Sequence, residues 1–67
     1  MRMMYQDYKN LPKVRAFAKR HELTSQKFND PLEGSFLRVW FPDTEKGQRL
    51  IARAAALYGR TRGGVTA

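Results

Sequence analysis

Ser35-Phe36-Leu37-Arg38-Val39-Trp40-Phe41 is the stretch on which the fold turns. It is rich in β-branched and aromatic residues and stops at Pro42, which reads as a strand and its end. Side chains alternate along a strand, so Leu37, Val39 and Phe41 share one face while Phe36, Arg38 and Trp40 share the other. A strand on its own leaves a row of amides and carbonyls unpaired. Its partner is either the N-terminus, where Arg2-Met3-Met4-Tyr5 can extend, or the same strand of a second chain. The second case gives a homodimer built on an antiparallel ribbon.

C-terminal to this strand, Asp43 or Thr44 is a natural N-cap and Glu45 suits the positive end of a helix. Leu50, Ile51, Ala54, Ala55, Leu57 and Tyr58 form the buried stripe of that helix. Lys46, Arg49, Arg53 and Arg60 fall on another face, and Gly59 stands where a left-handed C-cap belongs. Arg60-Thr61-Arg62-Gly63-Gly64-Val65-Thr66-Ala67 reads as basic and flexible.

N-terminal to the strand, Asn10-Leu11-Pro12 signals a helix start. Leu11, Val14, Phe17, Ala18 and His21 recur at helical spacing, with Lys13, Arg15, Lys19 and Arg20 off the stripe. His21 at the edge of that stripe reads as a packed or capping residue. Leu23-Thr24-Ser25-Gln26-Lys27-Phe28 reads as a short second helix, ended by the turn residues Asn29-Asp30-Pro31 and Glu33-Gly34. The expected fold is therefore a small α+β domain. It has an amphipathic N-terminal helix, a short second helix, one main strand and a C-terminal helix, over residues 1–60, with 61–67 a flexible basic tail.

Sixty-seven residues make one domain at most. A chain this short buries only about 60% of the surface its unfolded form exposes, so self-association is one route to stability. Zero cysteines and a single histidine argue against disulfides, thiolate metal sites and zinc. No stretch approaches the ~20 apolar residues of a membrane span. The opening Met1-Arg2-Met3-Met4-Tyr5-Gln6-Asp7 turns polar too early for a signal peptide, so a cytoplasmic protein without a membrane partner is expected.

Chemistry finds no constellation to work with. Ser25 and Ser35 sit in capping or turn contexts, His21 has no obvious carboxylate to orient it, and Gly47, Gly63 and Gly64 fit no phosphate loop. Neither an enzyme nor a cofactor is expected. Thirteen Lys and Arg against six Asp and Glu leave a net charge of +7, with a sequence pI near 10.4. That balance points to nucleic acid, and less strongly to an acidic protein surface. Lys13, Arg15, Lys19, Arg20, Arg49, Arg53, Arg60 and Arg62 are the candidate phosphate contacts. The face of Phe36, Arg38 and Trp40 is either core beneath the N-terminal helices or a reading surface. As a reading surface, Arg38 would fork to guanine and the aromatics would meet thymine methyls or stack on bases.

Two stretches resemble known DNA-binding families. Phe36-Leu37-Arg38-Val39, followed by Leu50-Ile51-Ala52-Arg53-Ala54-Ala55-Ala56-Leu57-Tyr58-Gly59-Arg60-Thr61, resembles the ribbon-helix-helix repressors and antitoxins. The resemblance covers the last third of the chain, which ends where that family's second helix would begin. It implies a dimer whose paired strands read the major groove, with Arg38 a base reader and Thr61 capping a phosphate-binding helix. Phe17 to Phe28 resembles a helix-turn-helix, with Ala18, Leu23 and Phe28 at packing positions and Glu22 in place of the turn glycine. Both imply a small DNA-binding repressor or accessory factor of a mobile element. The competing reading is a phage- or plasmid-type protein that inhibits a host protein, anchored by Trp40, Phe36 and Tyr58.

Overall fold

The central strand has a neighbour on each side. In a computed structural model that describes residues 2–9, 12–32, 34–59 and 62–66, β3 (Gly34–Pro42) pairs antiparallel with β1 (Met3–Lys9) on one edge and β2 (Ser25–Asp30) on the other. β4 (Arg62–Thr66) pairs antiparallel with the far edge of β1, giving the order β2-β3-β1-β4. With α1 (Pro12–Arg20) between β1 and β2, and α2 (Glu45–Tyr58) between β3 and β4, the chain runs β-α-β-β-α-β. Each helix links two strands that flank a third, which is the split β-α-β arrangement of ferredoxin-like folds.

This architecture overturns the expected one at several points. The helix from Pro12 is the second element, because Met3–Lys9 forms a full strand ahead of it. The short second helix does not form, and Ser25–Asp30 is a strand. The unpaired edge of β3 explains the change: it offers Gln26, Lys27 and Phe28 a ladder opposite Arg38, Leu37 and Phe36, which outweighs a weak local helix preference. The stretch read as a flexible tail carries β4, and Arg60 and Thr61 lie outside the described residues. Since both edges of β3 are occupied, the two-chain ribbon implied by the ribbon-helix-helix resemblance cannot form through it.

The helices share one face of the sheet. Val14, Phe17 and Ala18 from α1 and Leu50 and Ala54 from α2 bury against Tyr8, Leu37, Val39 and Phe41. Phe41, Leu37, Val14 and Val39 are almost wholly enclosed, and each contributes about 1.5–3 kcal/mol by leaving water. Leu57, expected in the buried stripe of α2, is 58% exposed. Leu11 and Asn10, expected at the start of α1, lie outside the described residues.

Local chemistry sets the helix ends. α1 closes in a Schellman motif: the Leu23 N–H donates to the Ala18 carbonyl at 2.8 Å and the Glu22 N–H to Lys19 at 3.2 Å. Glu22 takes the left-handed conformation this requires, with φ 56°. That turn directs the chain back along the sheet into β2, where the helix-turn-helix resemblance implies a second helix. His21 packs its ring 4.6 Å from that of Phe17. Thr44 caps α2 by accepting from the Gly47 N–H at 3.1 Å, and Gly59 ends the helix with φ 78°. Gly47 lies so close to the end of β3 that a Cβ there would stand 1.8 Å from the Pro42 carbonyl oxygen.

Candidate functional site

The second face of the sheet has no helix over it, and its side chains follow from the strand register. On β3 it carries Phe36, Arg38 and Trp40; opposite them on β1 stand Lys9, Asp7 and Tyr5. Phe28 and Gln26 of β2 face Phe36 and Arg38 from the other edge. Phe36 and Trp40 are thus on the side away from both helices, and the reading that made them core beneath the N-terminal helices does not hold. All four aromatic residues, Tyr5, Phe28, Phe36 and Trp40, are half-buried.

Arg38 is the centre of this face. Its Nε donates to Asp7 Oδ1 at 2.7 Å and its Nη2 to Asp7 Oδ2 at 3.0 Å, a bidentate pair across β1 and β3. Asp7 is 2% exposed, sealed beneath the guanidinium. The hydrogen bond to Asp7 holds Arg38 above the ordinary arginine pKa, against the opposing effect of burial. Aromatic rings hem the cation: its central carbon is 4.2 Å from the centroid of Tyr5, 5.0 Å from Phe28 and 5.8 Å from Phe36. Phe28 and Phe36 stack on each other, 5.4 Å between centroids and 15° between planes. The result is an aromatic floor with an ion-paired guanidinium in its middle.

Lys9 apart, the basic residues of the two helices lie elsewhere. Lys13, Arg15, Lys19 and Arg20 on α1, and Lys46, Arg49 and Arg53 on α2, are exposed on the helical layer, away from Arg38. Arg49 pairs with Glu45 one turn earlier, an exposed contact of small energetic weight. The candidate contacts of the sequence therefore divide between opposite sides of the molecule. Arg62 is placed only as the β4 residue paired with Asp7, and Arg60 lies outside the described residues. Tyr58 packs edge-on to Phe17 and Tyr8 on the helical side, so Trp40, Phe36 and Tyr58 form no common anchor surface.

Sequence reasoning missed Tyr5, Asp7 and Phe28. The signal for Phe28 was concealed by its helical assignment. Tyr5 and Asp7 do alternate with Gln6 and Tyr8, but the polar Gln6 and Asp7 hide the strand pattern. Among the described residues no three His, Cys, Asp or Glu side chains cluster as a metal site, and no helix is long and apolar enough to cross a membrane. No family model, curated protein or solved structure matches the chain.

Proposed function

We propose that the protein binds single-stranded nucleic acid on the open face of its sheet, with bases stacking on Tyr5, Phe28, Phe36 and Trp40. The observation that carries this reading is three half-buried aromatic rings around an ion-paired arginine, with Trp40 half-buried on the same uncovered face. Every base has a π-face, and stacking on such a ring contributes about 1–3 kcal/mol per base. The net charge of +7 favours approach of a polyanion from any direction.

Duplex DNA suits this face poorly. Four strands at ~4.8 Å spacing span roughly 14 Å between the outer axes before side chains are added, against a major groove of ~12 Å. A two-stranded ribbon enters such a groove, but here β3 is locked between two neighbours. A repressor or accessory factor working through this face would act on exposed single strands.

Trp40 is the only tryptophan, so its fluorescence reports on the face directly. Titration with a thymidine oligonucleotide should quench it, and the same length of duplex should bind at least tenfold more weakly. Equal binding of both forms, or quenching that vanishes at modest salt for both alike, would leave only non-specific charge attraction.

A further inference from the structure

We infer that Arg38 reads guanine in the bound strand, and that Asp7 is the positioning residue that aims it. This rests on the base-stacking reading above and adds a sequence preference to it. A guanidinium carries five N–H donors in a planar fork. Asp7 takes the Nε–H and one Nη2–H, the edge turned into the sheet. The other edge, Nη1 and the outer N–H of Nη2, makes no hydrogen bond among the described residues. The side chain keeps 26% of its surface open. Its plane is also held, by Tyr5 at 4.2 Å and Phe28 at 5.0 Å. A surface arginine must be ordered when it binds, whereas this one is ordered beforehand, with a two-donor edge available at the centre of a stacking platform.

Two parallel donors select two adjacent acceptors. Guanine offers O6 and N7 on one edge, while adenine offers N7 beside a donor amino group and thymine offers O4 beside a methyl. Unpaired cytosine also has two neighbouring acceptors, N3 and O2, but its smaller ring stacks over less of the aromatic floor. A purine that accepts both bonds satisfies platform and fork together. Phosphate oxygens would also fit the fork, and they carry no sequence.

The test uses thymidine oligonucleotides with one central guanine, adenine, cytosine or a guanine analogue with carbon in place of N7. With the unmodified protein, the guanine strand should bind roughly 5- to 150-fold tighter than the adenine strand. The analogue should fall to the level of adenine. Asp7→Asn should lower the guanine-to-adenine ratio by a larger factor than any change in its affinity for plain thymidine strands, a selective loss that a merely structural role would not give. Arg38→Lys, folded by circular dichroism, should bind all strands alike. Equal affinity for guanine and adenine, tightest binding to cytosine, or a guanine preference indifferent to N7 would overturn the inference. A uniform loss across all strands in Arg38→Lys would make it a phosphate contact. Failure of the unmodified protein to bind any strand would instead remove the stacking reading beneath it.

Discussion

The two sides of the sheet build two different surfaces from the same strands. Toward the helices, β3 contributes Leu37, Val39 and Phe41, each at most 1% exposed. On the open side, the interleaved residues Phe36, Arg38 and Trp40 remain half-buried around an ion pair with Asp7. Apolar side chains closed off from water hold the fold together. The aromatic side chains around Arg38 are only partly exposed and pack on one another and on the guanidinium rather than under a helix. Most of the basic residues lie on a third surface, the outside of the helices. The comparison therefore separates the buried core, the proposed base-contact face and most of the exposed charge onto three layers.

The largest effect should come from crossing the first of those boundaries. Phe41→Ala should cost about 3–5 kcal/mol, enough to unfold so small a domain, because Phe41 is 0% exposed. Its neighbour Trp40→Ala, less enclosed and under no helix, should cost less, about 2 kcal/mol in thermal or urea melts. An equal loss from both would mean the open face is core. Gly47→Ala belongs with Phe41: the clash with the Pro42 carbonyl should destabilise by about 1–3 kcal/mol.

Binding should divide the residues the other way. Trp40→Ala or Tyr5→Ala should weaken single-strand binding roughly 5- to 150-fold, read by polarisation of a labelled oligonucleotide. Replacing Arg49 and Arg53 by Ala should leave the salt slope of binding nearly unchanged, since both face away from the platform. A fall of about two in that slope would bring the helical layer into the interface. The smallest effect is conformational: Glu22→Gly should stabilise by about 0.5–1 kcal/mol by relieving the left-handed residue at φ 56°.

Elements whose partners are local in sequence were readable. The Thr44 cap, the Gly59 terminus, the inward stripe of Val14, Phe17 and Ala18, and the two faces of β3 all follow from spacing and capping chemistry. Elements defined by a distant partner were not. Ser25–Asp30 carries polar Ser, Gln, Lys, Asn and Asp around one phenylalanine, and only the edge of β3 makes it a strand. Arg62–Thr66 contains two glycines and becomes a strand only against β1. The site shares this limit: Arg38 and Trp40 were legible as a face, but the cross-strand pair with Asp7 depends on the β1–β3 register. With β2 misassigned, nothing placed Phe28 beside Arg38.

The most direct test of the account is a map of backbone amide shifts by NMR as a thymidine oligonucleotide is added. The account predicts that the largest changes fall on Tyr5, Asp7, Phe28, Arg38 and Trp40, with α1 and α2 nearly silent. Changes concentrated at Lys13, Arg15, Lys19, Arg20, Arg49 and Arg53 instead, with the open face unmoved, would contradict it.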